Sequence, residues 1–169
     1  MKFDNETLKE AVKEWLKDAT KAESKYGHIS SWDTSGVTDM STLFEEEEEF
    51  NDDIGSWNTS AVTNMDTMFY CSRSFNQNIG SWDTSAVTDM GGMFNAATSF
   101  NQDIGRWDVS NVTDFDGMFN CVKSFNQNIG NWDVSNVTSM SWMFNGAHDK
   151  MIEKYGENGE YFEKLKSDE

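Results

Sequence analysis

The apolar positions of this chain recur every 25 residues. Each unit carries a Trp, then Val, two residues that are Met except for Leu43 and Phe115, and a Phe at fixed distances, and the first four units close with a further Phe. One copy, residues 79–94, is IGSWDTSAVTDMGGMF. A period of this length indicates stacked units, here called coils, that bury one continuous core and present a surface rather than a single pocket. The aromatic residues assigned to this core are Trp32, Trp57, Trp82, Trp107, Trp132, Phe50, Phe75, Phe100 and Phe125.

Two local patterns within each coil predict regular elements. Ile79 to Trp82 is typical of a short buried strand, and the apolar residues that follow Ser85 fall at helical spacing up to Ala97. Ser85 is suited to begin that helix. Gly80 predicts either an unusual backbone angle or the close approach of a neighbouring coil. Each coil is therefore expected to place a short parallel strand on one face of the stack and a short helix on the other.

The segments outside the period predict helices at both ends. Leu8, Val12 and Trp15 share one helical face within residues 4–24, and Asp4 or Asn5 is a suitable N-cap. After the last repeat, the chain predicts one or two helices broken between Gly156 and Gly159, and fraying of the last four or five residues. The predicted organisation is a helical cap at 1–25, a five-coil solenoid at 26–146, and a helical cap and tail at 147–169.

The net charge of −17, from 30 acidic and 13 basic residues, excludes two classes of partner. Nucleic acids and anionic membrane surfaces both need cationic patches, so neither is expected to bind. No apolar run has the length of a transmembrane helix, and the first residues lack the apolar core of a signal peptide. We therefore expect no membrane insertion, and either a cytoplasmic protein or a chain separated from its targeting segment.

The repeat motif W-D-[TV]-S-x-V-T-[DN]-M-x-x-M-F, followed by F-N-x-x-I-G, extends over residues 26–146. It resembles the BspA-like leucine-rich repeats of bacterial and protist surface proteins, and more closely their variant known as the bacterial surface protein repeat. The resemblance implies an α/β leucine-rich-repeat-like, right-handed solenoid with no catalytic residues and a cell-surface or secreted location. It predicts a monomeric, non-enzymatic scaffold for adhesion or protein–protein interaction, with a protein or cell-surface ligand as partner.

Candidate contact residues are those that vary where their neighbours do not. The column of equivalent positions Ser56, Ser81, Arg106 and Asn131 differs from coil to coil beside an invariant Trp. Variable residues on a constant frame are where a recognition scaffold carries its specificity. Arg106 and Trp142 are the strongest candidates, although Trp142 could equally pack under the C-terminal cap.

Three polar columns support an alternative function, the binding of a carbohydrate or another ordered lattice, with Ca²⁺ as the one cofactor considered. Stacked carboxylates could hold a cation, yet Asn58 shares their column and a Ser follows two residues later, which favours Asx turns. The two Thr columns could match a lattice, but local hydrogen bonding is the commoner use of Thr. The carboxylates concerned are Asp33, Asp83, Asp108 and Asp133.

Glu45–Glu49 is the most concentrated charge run of the chain. The equivalent five residues of later coils are YCSRS, NAATS and NCVKS, so the run belongs to the first coil alone. Such a run is usually a solvated surface. The other interpretations are a docking site for a basic partner or a loosely held Ca²⁺.

Overall fold

Helices in the computed structural model, which describes residues 1–167, lie only at the two ends of the chain. The N-terminal helices are α1, Asn5–Lys17, and α2, Ala19–Tyr26, followed by a 3-10 helix at Ile29–Ser31. The C-terminal helices are α3, Asp149–Tyr155, and α4, Glu160–Ser167, separated at the predicted glycines. The fraying expected at the end of the chain concerns residues that include 168–169, which lie outside the described part.

The single helix expected over residues 4–24 is divided at Asp18. This residue ends α1 and begins α2, because its side chain accepts the backbone N–H of Lys21 over 3.1 Å. Asp4 caps α1 as expected, in reciprocal hydrogen bonds with Thr7 of 2.9 and 3.0 Å. The buried face of α1, which includes Leu8, Val12 and Trp15, belongs to the same hydrophobic core as the coils.

The prediction of an α/β leucine-rich-repeat-like solenoid is wrong, because the coils of the described residues contain neither a sheet nor a helix. Strand-like pairing is limited to isolated parallel bridges between neighbouring coils. The expected strand at Ile79–Trp82 is a tight turn, in which Trp82 N donates to Ile79 O over 3.1 Å. The bridged residues are Lys2 with Asp33, and the column Asp39, Asn64, Asp89, Asp114 and Ser139.

The segment with helical spacing is a series of turns. The N–H groups of Met93, Asn95 and Ala97 each donate to the carbonyl three residues earlier, over 2.9–3.2 Å. Gly92 and Ala96 have φ of 58° and 56°, and left-handed residues at these positions prevent a continuous right-handed helix. The other coils repeat these conformations at Thr42, Glu46, Thr67, Cys71, Gly117, Cys121, Trp142 and Gly146.

Backbone hydrogen bonds join the coils directly. The N–H groups of Met90, Gly92, Phe94 and Ala96 donate to carbonyls 24 residues later in the chain, over 2.7–3.1 Å. Equivalent bonds occur at the interfaces between the other coils. Pairing between coils therefore satisfies the backbone groups that a sheet or helix would satisfy.

Stacked Phe rings form the centre of the core. Successive rings in the column Phe44, Phe69, Phe94, Phe119 and Phe144 have centroids 5.6–5.9 Å apart. The second column, Phe50, Phe75, Phe100 and Phe125, has spacings of 5.9–6.1 Å. Within one coil the two columns lie 3.9–4.2 Å apart, so every coil adds a pair of rings to a continuous ladder.

The Trp column flanks this ladder. Trp32 and Trp57 stack with centroids 6.3 Å apart, whereas Trp82 and Trp107 stack on a Phe of the preceding coil at 6.3 Å. The indole N–H of Trp82 donates to Ile54 O over 3.2 Å, and the later Trp residues make the same bond to the preceding coil. The buried indoles therefore pair their polar groups while they pack the core.

The end segments replace the missing neighbouring coils. Asn5 Oδ1 accepts the N–H groups of Thr38 and Asp39, over 2.8 and 3.2 Å. At the other end, Phe144 N donates to Glu157 O over 2.8 Å, and the Tyr155 ring stacks on Phe144 at 5.6 Å. Covering part of a terminal coil in this way limits pairing of its backbone edge with another chain.

Candidate functional site

The column Ser56, Ser81, Arg106 and Asn131 is exposed in all four coils, beside Trp residues that are 3–4% exposed. The two Ser hydroxyls donate to carbonyls of the preceding coil, Ser30 O and Gly55 O. Arg106 forms no ion pair within residues 1–167. Its guanidinium group therefore projects from a rigid frame without an internal charge partner.

Trp142 is 62% exposed, so it does not pack under the C-terminal cap. Its φ of 61° is left-handed, and its backbone N donates to Asn158 Oδ1 over 2.9 Å. The equivalent residues of earlier coils are small, including Thr42 and Gly117. Trp142 and Arg106 occupy different positions of the repeat. Of the two residues, Trp142 is the one with an exposed large apolar side chain and a left-handed backbone conformation.

The carboxylate column forms Asx turns, as the preferred interpretation predicted. Asp33, Asp83, Asp108 and Asp133 each accept the N–H of the Ser two residues later over 3.0–3.1 Å, and Asn58 does the same. Hydrogen bonds from the Ser hydroxyl, and next from its backbone N–H, lower the pKa of all four carboxyl groups. Among residues 1–167, no group of three or more His, Cys, Asp or Glu side chains is arranged to hold a metal ion.

A second group of carboxylates, which was not predicted from the sequence, lies around Gly91. A Cβ added at Gly91 would lie 3.2 Å from Asp66 Oδ1, 3.3 Å from Asp89 Oδ1 and 3.6 Å from Asp114 Oδ1. Burial raises the pKa of Asp66 and of Asp114, and the charge of Asp89 raises both further. The signal available in the sequence was Asp at repeat positions two residues apart in three successive coils, because coil stacking brings such positions together.

We expect Asp66→Asn to stabilise the protein at neutral pH. The raised pKa means that the folded state binds the Asp66 proton more tightly than the unfolded state, so stability falls as pH rises through the ordinary and then the folded pKa. Since Asp66 is half-buried and still in contact with water, the gain at pH 7 should be no more than about 1 kcal/mol and should disappear below pH ~3. Thermal melting between pH 3 and 7 measures it.

The matched control is Asp83→Asn, which removes the same charge from a carboxyl whose pKa is lowered by Ser85. This variant should show no gain at pH 7, because the lowered pKa already favours the ionised folded state. Equal stabilisation by both variants would indicate relief of the overall negative charge and would contradict a specific repulsion at Asp66.

The Glu45–Glu49 run is exposed except for Glu47, which is half-buried. Arg73 Nε lies 3.4 Å from Glu48 Oε1, so one of the five carboxylates is paired with a later coil. The run lies at the N-terminal end of the stack, beside α1.

Within the described residues, no helix is both long and apolar enough to cross a membrane.

Comparison with known proteins assigns the chain to a different family from the one that the motif suggested. No curated protein and no solved structure matches this chain. A family model described as "Mycoplasma protein of unknown function, DUF285" matches residues 8–123 and again residues 77–156. Assignment to the BspA-like leucine-rich repeats was wrong, because the matching family is a different one and the coils lack the expected strands. The two matches together cover most of the sequence, and the chain therefore belongs to the DUF285 family of Mycoplasma proteins.

Proposed function

We propose that the chain is a non-catalytic binding scaffold that engages a protein or cell-surface ligand through exposed positions of its coils. The observation that carries this proposal is the contrast between a frame that repeats and exposed positions that do not, among them the column Ser56, Ser81, Arg106 and Asn131. The residues next to the column repeat the same buried indole and the same hydrogen bond to an Ile carbonyl.

Variation in the column changes both charge and size at a fixed spacing. Arg106 replaces the Ser that all three earlier coils carry at this position, and Asn131 follows it. Ring stacking and backbone bonds fix the relative positions of these side chains before any ligand arrives, which lowers the entropy lost on binding. Arg and Trp are the residue types most often found at the energetic centre of protein interfaces, which favours Arg106 and Trp142 as contacts.

Substitutions that copy another coil test the proposal without disturbing the frame. We expect Arg106→Ser and Trp142→Thr to reduce ligand binding by about tenfold each, with an unchanged melting temperature. The measurement compares the proteins that immobilised wild-type and variant chains retain from a cell extract. Arg73→Ser, which removes an exposed Arg from a different position, is the control and should retain the wild-type set. Wild-type retention by both Arg106→Ser and Trp142→Thr would contradict binding through these coils.

The alternative function, carbohydrate or ordered-lattice binding, stays a prediction. Thr34, Thr59 and Thr84 are buried, so this column offers no surface. The second column is exposed, but Thr63 and its later equivalents donate their hydroxyl protons to carbonyls of the preceding coil over 3.1–3.2 Å. Retention of the chain on an insoluble glycan, unaffected by Arg106→Ser, would favour this alternative.

A further inference from the structure

A groove separates α1 from the first coil. It consists of two adjoining cavities of about 410 and 380 Å³, which share Leu16 and Glu47 in their linings. One cavity extends along α1 from Glu6 to Leu16, and the other continues past Trp15 to Asp52. We refer to these two cavities together as the N-terminal groove.

The inner surface of the N-terminal groove is apolar. Val12 and Leu16 line it from α1, and Leu43 and Phe50 line it from the first coil. Leu16 is half-buried, whereas Val12, Leu43 and Phe50 are 2–8% exposed, so Leu16 supplies most of the carbon surface that remains open to a ligand. Covering such carbon surface would favour binding by about 25 cal/mol for every Å² removed from water.

The margin of the groove is strongly acidic. Seven carboxylates line it against two lysines, Lys9 and Lys13. Lys9 lies 3.8 Å from Asp39, outside this set, and Asp52 accepts the indole N–H of Trp15 over 2.7 Å. Glu45, Glu47 and Glu49 form no ion pair within the described residues. The seven are Glu6, Glu10, Glu45, Glu47, Glu48, Glu49 and Asp52.

Backbone carbonyls add further acceptors at this margin. In the second coil, the carbonyls of Asp66, Met68 and Tyr70 accept N–H groups from the first coil over 2.7–3.0 Å. The equivalent carbonyls of the first coil belong to Ser41, Leu43 and Glu45, and within residues 1–167 no N–H donates to them. At the opposite end of the stack, the N–H of Phe144 is satisfied by Glu157, so the two ends differ.

We infer that the N-terminal groove binds a basic, amphipathic segment of a partner protein. Lys or Arg side chains of the segment would pair with Glu45, Glu47 and Glu49, while its apolar side chains would cover the inner surface. The charge argument is specific to this place, because the equivalent positions of later coils carry no Glu. The inference rests on the proposed binding function and adds the chemistry of one partner segment.

A fluorescein-labelled peptide of sequence LKKLLKLLKKLLKL serves as the probe, with anisotropy as the measurement. The groove variant changes Glu45, Glu47, Glu48 and Glu49 to Gln. The control variant changes Asp33, Asp83, Asp108 and Asp133 to Asn, which removes the same charge from an exposed column where Asn58 already occurs. We expect the groove variant to lose about tenfold in affinity and the control less than about threefold.

Leu16→Gln tests the apolar part of the interaction, since it leaves the charge unchanged. We expect it to weaken binding of the probe at both low and high salt, with the fold verified by circular dichroism. Equal loss in the groove and control variants would show general attraction to an acidic chain and would overturn the inference. Binding of the probe to Leu16→Gln with wild-type affinity would also overturn the inference. So would self-association of the wild-type chain, if the groove variant abolishes that self-association.

These outcomes are separable from failure of the proposed function. If the probe does not bind specifically in the groove but partner capture still depends on Arg106, the inference fails and the proposed binding by the coils stands. Capture independent of Arg106 and Trp142, with the probe still bound specifically in the groove, would reject the coil surface and retain the groove.

Discussion

Gly80→Ala is expected to lower the free energy of unfolding by about 3 kcal/mol. A Cβ at this position would lie 2.5 Å from the carbonyl oxygen of Asp103 in the next coil. The obstacle is backbone, which cannot rotate away as the end of a side chain can. Gly80 is not among the residues with positive φ, so Ala can adopt its conformation and only the contact between coils resists the substitution.

Gly130→Ala is the matched control, because Gly130 occupies the same position in the last coil. Its added Cβ would approach no atom closer than Asn128 Oδ1, at 3.4 Å, and the hydroxyl oxygen of Tyr155 lies at 3.5 Å. We expect a change of less than about 0.5 kcal/mol in urea unfolding. Equal destabilisation by the two variants would contradict the explanation and would place the cost in the backbone conformation that both glycines share.

Features that depend only on side-chain burial were predictable from the sequence. The period identifies Trp82 and Phe100 as core residues whichever elements the backbone forms, since each coil must bury the same face against the next. The Asx turns follow from short-range chemistry, which neighbouring residues determine, and the glycine at position 80 itself indicated a close approach of the next coil. The helices at both ends follow from patterns long enough to be distinctive.

The backbone of the coils could not be predicted in this way, because apolar residues three apart fit a helix and a series of turns equally well. Left-handed residues decide between the two. Gly92, Gly117 and Gly146 signal them, whereas Thr42 and Thr67 adopt positive φ without any such signal. The N-terminal groove could not be predicted from the sequence either. The groove lies between α1 and Glu45–Glu49, where the N-terminal cap packs on one coil. A contact that occurs once does not produce a periodic pattern in the sequence.

The Phe ladder is expected to be the most sensitive part of the core. Phe94 is fully buried, and its ring contacts Phe69 at 5.6 Å, Phe100 at 3.9 Å and Phe119 at 5.9 Å. Phe94→Ala removes these three stacking contacts and a fourth with Trp107 at 6.3 Å, and it leaves a cavity between coils held by backbone bonds. We expect a loss of about 4 kcal/mol, measured by urea unfolding.

A Met substitution separates loss of stacking from loss of volume, because it keeps most of the buried carbon. Phe94→Met should still cost about 2 kcal/mol, since a thioether cannot replace a ring that stacks on both neighbouring coils. Phe115→Met makes the same chemical change in a column where Met40, Met65, Met90 and Met140 are the native residues, and should cost less than about 1 kcal/mol. If the two variants lose equal stability, the ladder contributes only buried area, and any large apolar side chain would serve in its place.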